Sequence, residues 1–338
     1  MCKYRSCHSV EGELFFNHLN KISYCSMVTP DGGQPLLYKN YNGELIDWDD
    51  FFNKRDEHIQ LMKQGGSLDA CKNCTWIRED NWNNSKKRFN YILLNTWVKC
   101  NLQCIYCKNH NNNYILENTK EYDLLPVLKD MIDKKLIDSE TKIDFAGGES
   151  TLDKHFDEIL NLFIDAKVSN ININSNCTIF SNSILNGLKN GYITLISSID
   201  AGDRNIFKKI KQNDLWNQVW SNIKKYQSVL NKENLSALKL KFIIVPSVND
   251  SKSQILKFLL KSKQYKIKNT ILNVDMHWIC ENENDKKTML KVINLTRFYI
   301  FICKLIKLEF YVSAHIEDLI KRFNLKYKDS QIDIEFIY

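Results

Sequence analysis

The sequence predicts an α/β protein in which six βα units on a parallel sheet follow a small cysteine-rich, β-containing module. Three observations carry this. From about residue 88, strand-like runs alternate with helix-like ones, the pattern of βαβ units. Residues 1–85 differ in texture, with five cysteines and turn-like stretches such as Pro30-Asp31-Gly32-Gly33. The 338 residues are 43% hydrophobic and 26% charged, ordinary for a chain that buries one large core with a small companion. That composition excludes a disordered chain, a collagen-like fibre and a disulfide miniprotein.

In chain order, the N-terminal region carries one helical signal, Asp50–Lys63, and ends in the polar stretch Asp80–Lys87. Strands are expected at Tyr91–Trp97, Lys142–Ala146, Asn170–Ser175, Ile193–Ile199, Leu238–Val245 and Thr270–His277. Helices are expected at Phe156–Ala166, Leu215–Leu230, Lys252–Lys261 and Lys286–Lys304. Six units are too few for a full eight-stranded barrel, leaving a partial barrel or a doubly wound sheet. Strand-like Phe310–Val312 and helical His315–Phe323 then cap or extend the sheet, so the domains are expected at 1–85, 86–310 and 311–338. In Asn170-Ile171-Asn172-Ile173-Asn174 polar and apolar residues alternate with period two. The Ile face should meet helices, and the Asn face either a polar, ligand-filled lumen or, on an edge strand, solvent. Asn273, Asp275 and His277 repeat the pattern, and two occurrences favour the lumen.

The net charge of +7 suggests a polyanionic partner, but only seven of the 47 basic residues are Arg, the residue on which base and phosphate recognition leans. Nucleic-acid binding is therefore a minor hypothesis. Met1–Val10 lacks the apolar run of a signal peptide, and the longest apolar stretch, Phe298–Ile306, is broken by Lys304 and too short to span a bilayer. A cytoplasmic protein without a membrane partner is expected, in which eleven cysteines serve as metal ligands, catalytic thiols or buried small hydrophobes rather than disulfides.

Cys100, Cys104 and Cys107 follow the first expected barrel strand with C-x3-C-x2-C spacing. Three thiolates so close can hold one corner of an iron–sulfur cube and leave one iron open; the alternatives are a structural zinc knot or buried thiols, although zinc sites generally close with paired C-x2-C or His ligands. With Tyr106 before the last Cys, the triplet resembles the signature of the radical SAM superfamily. Gly147-Gly148-Glu149, ending the second strand, resembles that superfamily's GGE motif, followed here by Ser150-Thr151 where Pro-Thr is common. Ser175-Asn176-Cys177 stands where many members have Thr-Asn-Gly, Ser198-Ile199-Asp200 looks like the S-x-D segment, and Lys211 stands where relatives use a basic residue, often Arg.

The resemblance, which covers most of residues 88–280, implies a partial (β/α)6 barrel of the radical SAM type. It implies that Cys100, Cys104 and Cys107 bind a [4Fe–4S] cluster whose open iron takes S-adenosylmethionine (SAM). Gly147, Gly148 and Glu149 would hold the methionyl amino group, Ser198 and Asp200 would face the ribose and carboxylate, and Lys211 the carboxylate, with Tyr106, Ser175 and Asn176 completing the cofactor contacts. Lys211 reads equally as part of a solvated basic helix start. One electron from a reductase, flavodoxin or ferredoxin would break a C–S bond of SAM, and the resulting 5′-deoxyadenosyl radical would abstract hydrogen from a substrate.

Cys7, Cys25, Cys71 and Cys74 are spaced C-x17-C-x45-C-x2-C, enough to close a zinc site or a second cluster; Cys2, near Cys7, competes for the first position. The pattern is similar to the twitch and SPASM modules of the superfamily, which hold auxiliary [4Fe–4S] clusters, though those modules more often follow the barrel. Such a cluster would accept an electron from a substrate radical. Of the rest, Cys303 is expected in the core, while Cys280 could give a hydrogen atom to a product radical and His277 could act as an acid or base, against an inert thiol and a structural His. Glu281, Glu283 and Asp285 are expected to solvate a loop. The leading expectation is an oxidation or rearrangement enzyme acting on a peptide or a small polar molecule, sugar derivatives included. Radical modification of RNA or a nucleotide is the alternative within enzymes; a zinc-stabilised nucleic-acid-binding protein and an electron-transfer iron–sulfur protein are the alternatives outside them.

Overall fold

Strand Leu238–Ile244 shows how the sequence writes this fold: Leu238, Leu240, Phe242 and Ile244 are fully buried, while Lys239, Lys241 and Ile243 alternate onto the opposite face. A computed structural model describes residues 4–25, 36–74, 77–82, 87–107, 122–282, 285–322 and 336–337. Cys2, Pro30–Gly33, residues 83–86 of the expected linker and Glu283 lie outside the described residues. The chain divides into two compact units, residues 1–99 with 112–174, and residues 100–111 with 175–338. The architecture is α/β with a mostly parallel sheet.

The first unit contains, in order, β1 (Tyr4–Ser6), α1 (His8–Gly12), β2 (Glu13–Asn17), β3 (Lys21–Ser23), β4 (Leu36–Lys39), α2 (Trp48–Lys63), β5 (Arg78–Asp80), β6 (Tyr91–Asn95), α3 (Leu125–Asp133), β7 (Lys142–Phe145), α4 (Phe156–Asp165) and β8 (Asn170–Asn174). Its sheet runs β8-β7-β6-β2-β3-β4, parallel from β8 to β2 and antiparallel beyond; β1 and β5 form a separate antiparallel pair. The sheet does not stop at the boundary expected at residue 85. β2 pairs parallel with β6, from Glu13 opposite Tyr91 to Asn17 opposite Asn95. The reason is compositional: Leu14, Phe15 and Phe16 are apolar on both faces and all buried, which only an interior strand allows.

Helix α2 starts where the Asp47 side chain accepts from the Asp49 and Asp50 N–H groups, and it buries Trp48, Phe51 and Phe52 around Phe89. The Asn face of β8 is polar because its neighbours are. Asn172 donates to Asp144 on β7 (2.7 Å), and Asp144 accepts from the Tyr91 hydroxyl on β6 (2.8 Å).

Among the described residues the second unit has five strands, β9 (Ile193–Ser198), β10 (Leu238–Ile244), β11 (Asn269–Val274), β12 (Glu309–Ser313) and β13 (Phe336–Ile337), all parallel in the order β13-β12-β11-β10-β9. Its helices are α5 (Asn182–Lys189), α6 (Arg204–Lys211), α7 (Trp216–Gln227), α8 (Lys252–Gln264), α9 (Met276–Glu281), α10 (Lys286–Ile306) and α11 (Ala314–Arg322). The buried face of β10 packs on α8, with Phe242 and Phe258 ring centroids 5.2 Å apart.

Two expectations change here. The strand expected over Thr270–His277 ends at Val274, because the Asp275 side chain accepts from the His277 and Trp278 N–H groups and caps α9. His277 and Cys280 therefore sit on a helix, and of the repeated polar pattern only Asn273 stays on the strand, accepting from the Ser313 hydroxyl (2.6 Å). Second, the boundary expected after residue 310 falls inside β12, which pairs with β11. Among the described residues no helix is long and apolar enough to cross a membrane.

His58 on α2 is 4% exposed, lies against Tyr24 (centroids 5.9 Å apart), and has no hydrogen-bond partner for either ring nitrogen among the described residues. Burial pushes its pKa down to about 4. A depressed folded value means that the neutral ring's stability is present above the unfolded pKa of about 6.5 and is lost as pH falls toward the folded value. Urea midpoints measured from pH 7 down to pH 4 should therefore fall less steeply for His58→Phe than for wild type; parallel slopes would show that His58 is not the acid-sensitive group.

Candidate functional site

The loop that carries Cys100, Cys104 and Cys107 is pinned to the end of α6 within the second unit. Gln103 N–H donates to the Lys211 carbonyl and Ile105 N–H to the Ile210 carbonyl, both at 3.0 Å, and the Asn213 side chain donates to the Asn101 carbonyl at 3.1 Å. Leu102, 2% exposed, anchors the loop by burial. A small amide cluster sits beside its start: Asn176 donates to Asn101 (2.9 Å) and contacts the Cys100 sulfur (3.5 Å), and Asn101 donates to Thr178 (2.8 Å). Asn176 thus reaches a cysteine of the triplet directly.

Beneath the loop lies a buried polar triad. Asp200 is fully buried, and one carboxylate oxygen accepts from the Tyr106 hydroxyl and the Lys211 ammonium, both at 2.5 Å, while the other accepts from Ile243 N–H at 2.7 Å. Lys211 is 2% exposed, donates also to the Tyr106 hydroxyl (2.9 Å) and lies over that ring. Asp200 takes this position with a left-handed backbone (φ 58°), which Asp tolerates better than most side chains. Asn249 secures it, donating to the Asp200 and Ile243 carbonyls and accepting from Val245 N–H, each at 2.7 Å.

Burial disfavours the Lys211 charge most, yet Asp200 together with Cys104 and Cys100 outweighs it and the lysine pKa is raised. Burial also raises the Cys104 thiol, and the nearby Lys211 ammonium counteracts it. Asp200 and Lys211, expected to face ribose and carboxylate, are thus paired with each other and with Tyr106. Ser198, half-buried on β9, stands beside Lys241 of β10 in register. Ser175 accepts from Cys177 N–H (3.0 Å) in the turn after β8.

In the first unit, Gly147 and Gly148 are demanded by close backbone approach. Gly147 has φ 108°, and a Cβ there would stand 2.4 Å from the Trp97 carbonyl oxygen and 2.5 Å from Asn95 Oδ1. A Cβ on Gly148 would meet the carbonyl oxygen of Lys99 at 2.3 Å, and the Gly148 and Glu149 N–H groups donate to the Trp97 and Lys99 carbonyls at 2.7 and 2.9 Å. Glu149 is buried and accepts from the Thr151 hydroxyl (2.6 Å). Around this segment Asn95 Oδ1 and Trp97 Nε1 are buried without a hydrogen-bond partner among the described residues, and His18 lies against the Asn95 backbone. An orphaned acceptor beside two glycines suits a donor-only group such as an ammonium, so the residues present fit the amino group of SAM. Sequence reading missed Asn95, Trp97 and His18, because each looks like an ordinary residue at a strand end.

Cys7, Cys25, Cys71 and Cys74 also lie in the first unit. Burial and then the neighbouring Cys7, Cys74 and Cys25 push the Cys71 thiol up to about 11, so the structure brings all four within electrostatic reach. Cys7 is likewise raised, chiefly by burial. Thiols held this way ionise only with a cation to offset their charge, which suits a metal-binding donor set. Among the described residues no three His, Cys, Asp or Glu side chains stand at metal-ligand spacing. Cys177 and Cys303 are buried, the latter pushed up to about 12 by burial, whereas Cys280 is exposed on α9. Asp285 caps α10 by accepting from Thr288 N–H.

Residues 94–259 match the model of the Radical SAM superfamily. Among curated proteins, the GTP 3',8-cyclase of Clostridium botulinum (strain Okra / Type B1) is 25% identical over 194 residues, covering 54% of this chain and 55% of its own length. That of Desulforamulus reducens is 25% identical over 177 residues, covering 51% and 50%. The chain therefore spans about half the length of the curated relatives it matches. Among solved structures, Streptococcus suis SuiB bound to precursor peptide SuiA aligns with a TM-score of 0.53 and 14% identity over 95% of this chain and 75% of its own. Native anSMEcpe with bound AdoMet aligns with a TM-score of 0.50 and 16% identity over 70% and 66%. These likenesses are of fold.

Removing one member of the buried pair should be expensive. Lys211→Met leaves Asp200 charged and dry, and should lose about 3–5 kcal/mol in equilibrium urea denaturation. Adding Asp200→Asn, which keeps the left-handed backbone and the Ile243 N–H bond, should restore part of that loss; independent, additive losses would show that the two side chains do not act as a pair.

Proposed function

This chain is a member of the radical SAM superfamily, and we propose that it cleaves SAM reductively at a [4Fe–4S] cluster held by Cys100, Cys104 and Cys107 and abstracts hydrogen from a peptide or small polar substrate. When bound, the cluster and SAM supply a 5′-deoxyadenosyl radical. Everything else is the work of the chain: to present three thiols, to hold one end of SAM, and to keep the site dry. The observation that carries the reading is the cysteine loop locked to α6, with Tyr106 of that loop bonded to the Asp200–Lys211 pair. A loop fixed at both backbone and side chain presents its thiols with little freedom left to lose. Asn176 at Cys100 adds a donor that stabilises sulfur as thiolate.

On this reading Gly147, Gly148 and Glu149 receive the SAM amino group, with Asn95 Oδ1 as a further acceptor, and Ser175, Ser198 and Lys211 contribute polar contacts. We further assign Cys7, Cys25, Cys71 and Cys74 to an auxiliary [4Fe–4S] cluster that takes an electron from the substrate radical. Exposed Cys280 and helix-borne His277 are the candidates for returning a hydrogen atom or a proton. A flavodoxin or ferredoxin would deliver the reducing electron. A nucleotide substrate is the second reading, favoured by the relatives named GTP 3',8-cyclase.

Two measurements test this. Anaerobically reconstituted wild type should hold about eight irons per chain, and the Cys100/Cys104/Cys107→Ala triple variant about four. With dithionite and SAM, wild type should form 5′-deoxyadenosine and the triple variant none. Equal nucleoside formation by both would refute the assignment, and four irons falling to none with zinc retained would assign zinc to the N-terminal thiols.

A further inference from the structure

Helix α7 carries two amide side chains, Gln218 and Asn222, four residues apart and so on one face. Asn222 is 5% exposed in the middle of the helix, where Asn is a poor helix former and a desolvated amide must be bonded. It donates to the carbonyls of Cys177 (2.9 Å) and Thr178 (3.2 Å), and Gln218 donates to the same Thr178 carbonyl (2.6 Å). Both side chains thus reach out of their helix to hold the turn at residues 175–178.

That turn needs holding. Cys177 is fully buried with a left-handed backbone (φ 56°), which is disfavoured for most residues that carry a Cβ. Its N–H donates to Ser175 Oγ (3.0 Å), and its carbonyl is one of the two that Asn222 takes. The turn in turn decides how Asn176 faces. Asn176 Oδ1 accepts from the Thr178 N–H (2.9 Å) and the Thr178 hydroxyl (2.6 Å). Its NH2 group is left to face Asn101 Oδ1 (2.9 Å) and the Cys100 sulfur (3.5 Å). An unbroken run of hydrogen bonds therefore leads from the middle of α7 to the first cysteine of the triplet.

We propose that Asn222 is a positioning residue for Cys100: it holds Cys177 in its left-handed conformation and so aims the Asn176 amide at the sulfur. This rests on the radical SAM reading of the triplet and deepens it, because a helix that does not touch the cysteines then sets the potential of their cluster. A donor at a ligating sulfur offsets negative charge, and reduction adds one more negative charge, so the bond favours the reduced state. Losing it lowers the midpoint potential.

The test reads the chain without and with its cluster. In the apo full chain, the Cys177 and Thr178 amides should exchange hydrogen about tenfold faster in Asn222→Leu than in wild type. Adding Cys177→Gly should restore their protection, because Gly adopts the left-handed backbone unaided. After anaerobic reconstitution, the cluster signal that is absent from the Cys100/Cys104/Cys107→Ala variant is titrated against potential. Its midpoint should fall by about 59 mV in Asn222→Leu, a tenfold change in a one-electron equilibrium. Asn176→Ala should give the same shift, the Asn176→Ala/Asn222→Leu double variant no further one, and Asn222→Leu/Cys177→Gly the wild-type value. An unchanged midpoint in Asn222→Leu, or shifts that add in the double variant, overturns the proposal. Unchanged exchange in Asn222→Leu overturns it as well. Wild type that builds no cluster at the triplet would count against the radical SAM reading, while faster exchange in Asn222→Leu would leave Asn222 standing as the residue that holds Asn176 at Cys100.

Discussion

A carboxylate removed from water needs a cation and hydrogen-bond donors around it, and Asp200 obtains all of them from segments far apart in the chain. Tyr106 comes from the cysteine loop, Lys211 from the end of α6, and Ile243 N–H from β10. Each contact alone would be weak evidence of stability, since desolvation offsets most of what an ion pair gains. Together they fix where the loop can be. The cysteines lie on irregular backbone with no ladder to hold them, so their position depends on this cluster and on the two backbone bonds to Ile210 and Lys211.

The two units use the strand pleat in the same way. On β8 and on β10, one face is apolar and buried, and the other carries side chains that must find polar company. In the first unit they find it internally, through Tyr91, Asp144 and Asn172. In the second, Asn273 has Ser313, and Lys241 stands in the field of Asp200, whose oxygens are engaged by Tyr106, Lys211 and Ile243 N–H.

Much of this was legible in the sequence because period-two alternation and cysteine spacing are local signals. The strands at Tyr91, Lys142, Asn170, Ile193 and Leu238 begin where the pattern places them. Three features were not legible, each for a physical reason. Val274 and His277 read as one strand because the alternation of Asn273, Asp275 and His277 continues through them; the stop comes from Asp275 finding two N–H groups, which a hydropathy pattern does not encode. The engagement of Asp200 with Tyr106 and Lys211 is tertiary and leaves no spacing signature. The lysines of Leu-Lys-Leu-Lys-Phe-Ile-Ile were visible as alternation, but their shared face acquires meaning only once its opposite is seen packed on Phe258.

The parallel pairing of β2 with β6 has a consequence for synthesis. Glu13 and Tyr91 are register partners on adjacent strands separated by most of the N-terminal region, a contact of long sequence separation that forms late and slowly. As the chain emerges from the ribosome, Leu14, Phe15 and Phe16 are made long before the strand that covers them. The antiparallel β3 can shield one edge early, but the edge facing β6 stays open until residue 95 has cleared the exit tunnel. A nascent chain stalled in the polar stretch around Asn81 would display an unpaired, aromatic-rich strand edge, the kind of surface that chaperones bind and that otherwise recruits other chains.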